Sequence, residues 1–381
     1  MDHRPTAVFI DTKALVHNFQ EVMRLVSPGS PVAPVVKSDA YGHGMIGVSR
    51  ALLQAGADQF AVSLTEEGVE LRENGVTVPI LVLGGSYPAQ AREIVAAKLT
   101  PVVTTPALAK ALGKAARSLR LTPKIHVQVE TGLGRLGIFP EEMPSFLHLL
   151  KGMPFLQLEG ICTSFSSVDN RELAEEQLQS FEKIVQEAAK WYGKPILGHI
   201  AHTGGLLRGF TRPGWLIRPG IMLYGYTRGL EAPGVDLKPV LTWRTEVFKV
   251  QSYPAGYPIG YGATYKTKKE SQIALLPVGY SDGLLRSYMG KGKVLIRGKR
   301  TPLVGRFSMD WAMAEVGHIP GVKAGDEVIL IGEQGKDRIS ADEMAERAGT
   351  IIDEVFVSIA KRVPRIFQEK SRKPQKGDFN G

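Results

Sequence analysis

Residues 158–203 read LEGICTSFSSVDNRELAEEQLQSFEKIVQEAAKWYGKPILGHIAHT. Two short apolar runs, LEGICTSF (158–165) and ILGHIAHT (196–203), flank RELAEEQLQSFEKIVQEAAKWYG (171–193), which has a helical pattern. Strand, helix and strand in that order make a βαβ unit and call for a parallel sheet. The unit repeats in both directions. Upstream lie PVAPVVK (31–37), QFAVSL (59–64), PILVLGG (79–85), TPVVTT (100–105) and KIHVQVE (124–130), and downstream IRPGIMLYGY (217–226). Eight such runs over about 230 residues predict a (β/α)8 barrel of the TIM type. A doubly wound sheet usually has only ~5–6 strands.

Around this core the texture changes. The opening run AVFID (7–11) leads into TKALVHNFQEVMRLV, where Ala14, Leu15, Phe19, Val22 and Val26 stand near helical spacing. After Asp236 come short alternating runs separated by Gly and Pro turns: VLTWRTEVFKVQSY (240–253), SQIALLPVGY (271–280), KVLIRG (293–298), TPLVGRFSMDWAMAEV (301–316) and DEVILIG (326–332). These predict a mostly-β domain interrupted by one helix, ISADEMAERAGT, with Ser340 as N-cap and Glu343 three residues on. The expected organisation is a barrel over 1–236, of which 1–10 forms a strand packing with the β domain, then a β domain over 237–368. A basic, disordered tail is expected over 369–381.

Composition narrows the class. Of 381 residues, 43 % are hydrophobic and 22 % charged, the balance of a globular protein with ample core. No apolar run approaches the ~20 residues of a spanning helix, and the N-terminus has no basic segment followed by an apolar one. No membrane partner is expected, and the cytoplasm is the expected location. The single cysteine, Cys162, excludes an internal disulfide and a Cys-based zinc site. The net charge is +9, but Lys361–Gly381 alone carries seven basic and two acidic residues. The excess therefore sits mainly on a solvated terminal tail, and nucleic acid is not expected as a partner.

Several residues could carry chemistry. Lys37 closes PVAPVVK, at the strand end where barrel enzymes place catalysis, and either a Schiff-base lysine or a snorkelling one fits there. TGLGRLG (131–137) contains a formal G-x-G-x-x-G, but the next helix starts late, after Pro140 and an acidic pair, so a dinucleotide fingerprint is rejected. Arg135 in that loop suits a carboxylate or another anion, or a surface ion pair. Thr203, Gly204 and Gly205 follow the seventh run, and Arg218, Gly220 and Ile221 lie in the eighth, where barrels favour phosphate sites. Tyr261 lies in GYGATY, Asp282 in PVGYSDG and Met309 in GRFSMD. His199 and His202, three apart on one expected strand, should point to opposite faces, and no metal site is expected.

The run Val35-Val36-Lys37-Ser38-Asp39-Ala40-Tyr41-Gly42-His43-Gly44 closely resembles the pyridoxal-phosphate lysine motif of alanine racemases. ETGLGRLG (130–137), RPGIMLYG (218–225), GYGATY (260–265), PVGYSDG (277–283), GRFSMD (305–310) and RVPR (362–365) resemble other motifs of that family, in order, from about Ala7 to Phe367. The resemblance implies a fold-type III pyridoxal 5′-phosphate enzyme: a barrel, a C-terminal β domain, and a head-to-tail homodimer with shared active sites. It further implies that Lys37 carries the cofactor and is one of two acid–base groups, with Tyr261 of the partner subunit as the other. Tyr41, Thr203, Gly220 and Ile221 would hold the phosphate, Arg218 would face the pyridine nitrogen, and Arg135 would support the phenolic oxygen. The backbone of Met309, from the partner subunit, would bind the substrate carboxylate. The implied reaction interconverts L- and D-alanine and supplies D-alanine for peptidoglycan.

Three positions depart from the family pattern. Ser164 stands where a histidine usually stacks on the cofactor ring. Gln128 stands where many members carry a carbamylated lysine, and a glutamine there can hydrogen-bond Arg135 without charge. Asp353 replaces a gate tyrosine and is expected to face the entrance or a substrate side chain. These changes keep a serine or basic amino-acid racemase in view as an alternative, and a non-catalytic cofactor-binding protein as a remote one. A fold-type III decarboxylase would need an acidic partner where Arg218 stands.

Overall fold

The structure, a computed structural model, describes residues 4–368. The tail expected to be disordered over 369–381 lies outside the described residues. The chain forms two compact units. One comprises 16–40 and 45–238, and the other comprises the chain through Leu15, the segment Tyr41–Gly44, and the chain from Pro239 onward. Strands are numbered in chain order, beginning with β1 (Ala7–Asp11).

In the 16–238 unit, β2 (Phe60–Val62), β3 (Ile80–Val82), β4 (Thr100–Val103), β5 (Lys124–Gln128), β6 (Gln157–Cys162) and β7 (Leu197–His199) form a parallel sheet in sequential order. The first and eighth expected runs complete the circle by short bridges instead of long strands. Val35 bridges Ala61 on β2, Val32 bridges Ile217, and His202 bridges Arg218. Ala33 N–H donates to the Ile217 carbonyl and Leu216 N–H to the Gly198 carbonyl, both at hydrogen-bond distance. All eight runs thus take part in the barrel. Every residue of β2, β3 and β4 is buried, as a parallel sheet covered on both faces requires, and this is why the runs read as continuous apolar stretches.

The crossover helices follow from local chemistry. The helix Pro106–Leu119 starts where the Thr105 hydroxyl accepts from Leu108 N–H and proline occupies the first turn. It buries Leu108, Ala109, Leu112, Ala115 and Ala116, one face at helical spacing. The helix Arg171–Tyr192 is capped by Asn170 and stopped by Gly193 in the left-handed conformation.

The second unit is built on β1, β8 (Leu241–Glu246), β9 (Lys249–Tyr253), β10 (Pro258–Ile259), β11 (Tyr265–Lys266), β12 (Ser271–Leu276), β13 (Lys293–Ile296), β14 (Lys299–Pro302), β15 (Ala312–Glu315), β16 (Glu327–Gln334), β17 (Asp337–Ile339) and β18 (Arg365–Gln368). Its main sheet runs β14-β13-β16-β8-β1-β18, with β17 on β16, while β15-β12-β9 and β10-β11 form smaller sheets. The first strand therefore pairs with strands from the other end of the chain, antiparallel to β8 and parallel to β18. The helix Ala341–Ala348 begins where Ser340 Oγ accepts from Glu343 N–H, and Gly349 ends it.

Candidate active site

Most of the residues singled out in the sequence lie at the carboxyl ends of the barrel strands or in the loops that follow. Lys37 stands one residue beyond the last barrel hydrogen bond of its run, from Val36 N–H to the Ala61 carbonyl, and is half-buried. The expectation that it closes a strand is corrected: it begins a short turn, Lys37–Gly42, in which Ser38, Asp39, Ala40 and Tyr41 all have φ of 53–54°. Four consecutive left-handed residues cost roughly 1–2 kcal/mol each. Side chains oppose that cost: Glu67 accepts from Ser38 N–H at 2.6 Å, and Asp39 accepts from Met45 N–H at 2.7 Å.

Arg135 sits in the loop after β5. The loop is closed at its base by the Val129–Ile138 bridge. Its glycines, Gly132, Gly134 and Gly137, have φ of +125°, +69° and +135°, so the G-x-G-x-x-G spacing meets a backbone need for positive φ at all three positions. The Glu130 carboxylate fills the loop and accepts from the backbone N–H of Gly132 at 2.5 Å, Leu133 at 2.6 Å and Arg135 at 3.1 Å. Partial burial opposes its charge, but these backbone donors and Gly134 outweigh it and hold the carboxyl below its ordinary value. The Arg135 guanidinium is exposed and forms no ion pair among the described residues. Gln128 does not bond Arg135, as its chemistry had suggested; its Nε2 donates to the Leu136 carbonyl at 3.0 Å, bracing the next residue instead.

Arg218 is 7 % exposed. Its Nη2 donates to the carbonyls of Thr163 at 2.7 Å and Ile200 at 3.1 Å, while its Nε, fully buried, has no partner among the described residues. Burial pulls its pKa down, and Arg135 adds to the effect, yet a guanidinium stays charged. A buried donor without an acceptor is uncommon, because buried polar groups are nearly always hydrogen-bonded. Beside it, Gly220 N–H donates to Thr203 Oγ1 at 3.2 Å, and Gly220 and Ile221 open a short helical turn, Ile221–Tyr224. Ser164 follows β6 and is half-buried.

His199 and His202 do not share a strand, which corrects the expectation of opposite faces. β7 ends at His199, and His202 caps the helix Thr203–Leu207 by accepting from Gly204 N–H at 3.0 Å. Burial pushes the His202 pKa down to about 4, helped by Arg218, Arg228 and Lys37, so its ring is neutral at pH 7. His199 instead meets His126, Nδ1 of His126 to Nε2 of His199 at 2.7 Å, and His126 Nε2 lies 3.2 Å from Glu159. Burial lowers both histidine pKa values, so both rings are neutral and each passes one hydrogen toward Glu159. Neither Glu130, Gln177 nor the His126–Glu159 pair was singled out from sequence; only the glutamate opening ETGLGR carried a signal.

The remaining candidates belong to the other unit. Tyr41 is buried at the end of the left-handed turn. The next residue, Gly42, has φ +77°, and an added Cβ would lie 2.3 Å from the Phe356 carbonyl oxygen, so only glycine fits. Tyr261 opens a helical turn and is 68 % exposed, and Met309 is 53 % exposed. The Met309 carbonyl accepts from Ser281 N–H at 3.0 Å. Asp282 is fully buried and holds Arg4 at 3.0 Å and Arg362 at 3.3 Å, and Arg362 also pairs with Asp310 at 2.7 Å. Asp353 is half-buried on the helix Ile352–Ser358. Among the described residues no group of three or more His, Cys, Asp or Glu could hold a metal ion, and no helix is long and apolar enough to cross a membrane.

Residues 10–228 match the family model of the alanine racemase N-terminal domain, and residues 240–367 match that of the C-terminal domain. The chain is 40 % identical over 371 residues to an alanine racemase of Halothermothrix orenii, covering 96 % of this chain and 98 % of that one. It resembles the crystal structure of alanine racemase from Bacillus anthracis with bound L-Ala-P, with a TM-score of 0.89 and 35 % identity over 97 % and 96 % of the two chains. It also resembles alanine racemase from Bartonella henselae with covalently bound pyridoxal phosphate, with a TM-score of 0.86 and 26 % identity over 96 % and 100 %. With both domain models matched over 10–228 and 240–367, and the eight-run barrel carrying Lys37, Arg135 and Arg218 at one mouth, the chain belongs to the alanine racemase family.

Proposed function

We propose that this enzyme works by a two-base mechanism in which Lys37 and Tyr261 of the partner subunit exchange protons with opposite faces of the substrate Cα. The reaction is the interconversion of L- and D-alanine, and the cofactor is pyridoxal 5′-phosphate. The observation that carries this reading is Arg218: a cation 7 % exposed at the barrel mouth whose buried Nε has no acceptor among the described residues. An unprotonated aromatic nitrogen is the acceptor it suits, because a guanidinium can donate but not accept. The residues present therefore fit the cofactor.

Pyridoxal phosphate, when bound, supplies the sink for the electron pair left on Cα. The chain supplies everything else. Lys37 holds the cofactor covalently and moves a proton at its Nζ on one face, while Tyr261 of the partner subunit moves one at its phenolic oxygen on the other. Arg218 would face the pyridine nitrogen and, as a donor that cannot accept, would leave it unprotonated. Arg135 supports the phenolic oxygen. Thr203, Gly220 and Ile221, with Tyr41, hold the phosphate, and Ser164 borders the ring. The backbone of Met309 from the partner subunit holds the substrate carboxylate, and Asp353 faces the substrate side chain. The exposure of Tyr261 and Met309 in the single chain supports a homodimer with shared sites. The proposed setting is the cytoplasm, with D-alanine going to peptidoglycan.

The test is Cα-proton exchange in D2O, followed by NMR, with L-alanine, L-serine and L-lysine in parallel. Exchange fastest with alanine and accompanied by the D-isomer is expected. Lack of exchange in cofactor-loaded protein would sink the mechanism, and faster exchange with serine or lysine would favour the broader racemase.

A further inference from the structure

The loop that aims Arg135 has to be fixed by something other than Arg135. Its guanidinium is exposed and makes no ion pair among the described residues, so its position follows the backbone beneath it. A long side chain held by nothing else loses rotamer freedom each time it engages a ligand. Glu130 organises the loop from within, but the loop must also be anchored to the barrel.

The anchor is Gln177, on the helix Arg171–Tyr192, only 2 % exposed. Both ends of its amide are spent on two different loops. Nε2 donates to the Thr131 carbonyl at 3.0 Å, at the start of the Arg135 loop. Oε1 accepts from Ser166 N–H at 3.0 Å and from Ser166 Oγ at 2.9 Å, in the loop that carries Ser164. The stitch continues inward: Thr131 Oγ1 and Thr163 Oγ1 are 2.8 Å apart, and the Thr163 carbonyl accepts from Arg218 Nη2 at 2.7 Å. An unbroken polar path therefore joins Ser166, Gln177, Thr131, Thr163 and Arg218. A buried amide is costly unless every group is paired, and an apolar residue would pack a helix against a barrel without that demand. Gly132, directly after Thr131, lies so close that an added Cβ would sit 3.4 Å from Gln177 Nε2.

We propose that Gln177 is a positioning residue for the cofactor site, holding in register the two loops that carry Arg135 and Ser164 and, through Thr131 and Thr163, the Arg218 guanidinium. In this role Gln177 acts through Thr131 and Ser166, to which its amide is bonded, and not on substrate or cofactor directly. The proposal rests on the reading of Arg135 and Arg218 as cofactor ligands. It gives the site a second support in a chain where Gln128 brings no charge to Arg135 and Ser164 cannot stack on a ring.

The experiment compares Gln177→Leu, Gln177→Glu and Leu178→Ala in the full chain. Gln177→Leu removes the amide. Gln177→Glu keeps the size and the Ser166 acceptor but turns an anion toward the Thr131 carbonyl, and it serves if the leucine variant does not fold. Leu178, buried on the same helix, touches neither loop through a hydrogen bond, so its truncation reports helix destabilisation alone. Three quantities are measured: the dissociation constant for pyridoxal phosphate, the absorption maximum of the bound cofactor, and amide hydrogen exchange at Gly132, Leu133 and Arg135 in the cofactor-free protein.

Either Gln177 variant should weaken cofactor binding about tenfold, shift the absorption band and speed exchange at the three amides. Leu178→Ala should lower Tm while leaving all three near wild type. Unchanged binding, band and exchange in a folded Gln177 variant overturns the proposal, as does an equal loss in Leu178→Ala. A wild-type protein that fails to bind pyridoxal phosphate would overturn the cofactor reading instead. The exchange rates would then still decide whether Gln177 clamps the loop.

Discussion

Cys162 illustrates how environment, not residue type, sets chemistry. It ends β6 inside the barrel, and burial pushes its thiol up to about 12, outweighing the opposing effect of the Arg218 charge. The thiolate is the reactive form, so native protein at pH 8 should give no reaction with a disulfide reagent, and one equivalent only after unfolding. Because the chain has a single cysteine, the count is unambiguous. Rapid labelling of the folded enzyme would mean that the barrel opens locally. Asp353 belongs to the same scale. Replacing it with tyrosine should raise turnover of alanine relative to serine and lysine, since a bulky neutral side chain would replace a small anion. An unchanged ratio would remove Asp353 from specificity. Lys37, Arg135 and Arg218 could be named as candidates from the sequence, since each lies in or just after an apolar run of the barrel. The bond from Gln128 to the Leu136 carbonyl was not, because a side-chain amide has several partners within reach and only the folded loop selects one.

At the scale of elements, the barrel strands were legible because buried parallel strands leave continuous apolar runs, and the helix beginning at Ser340 was legible because a cap is a local signal. The left-handed turn after Lys37 was not. Ser38, Asp39, Ala40 and Tyr41 have no common preference for positive φ, and the conformation is imposed by Glu67 and by the approach of Gly42 to Phe356. Close packing between elements was equally hidden. Gly160 on β6 faces the His126 ring, and an added Cβ would lie 2.7 Å from that ring and 2.8 Å from the Leu197 carbonyl oxygen. Neither neighbour can move without disturbing the histidine pair or the β6–β7 ladder. Gly160→Ala should therefore destabilise the protein by about 2 kcal/mol, seen as a lower midpoint of urea unfolding at unchanged slope. A midpoint equal to wild type would show that the ring can swing aside.

At the scale of the whole molecule, the proposed catalytic pair is divided between chains. A Lys37→Ala subunit and a Tyr261→Phe subunit should each be inactive as homodimers. Mixed and reassociated, they form hybrid dimers in which one of the two sites has both wild-type groups. Random pairing restores about a quarter of wild-type activity. No recovery, with hybrid dimers demonstrated by mass, would place both groups in one chain and refute shared sites.

What the sequence determined by itself was the repeating order of strand and helix, the change to a mostly-β texture after the barrel, and the residue types at the strand ends. These depend on periodicity, caps and turns, which act over a few residues and survive in any reading of the chain. The tertiary structure alone decided the pairing of β1 with β8 and β18, the sign of φ after Lys37, the neutral His126–His199 pair, and the clamp of Glu130 and Gln177 around the Arg135 loop. Each of these joins groups far apart in the chain or sets a backbone sign through such contacts. Their stability comes from burial that excludes water and leaves a polar atom one available partner, a condition that exists only once the chain has folded.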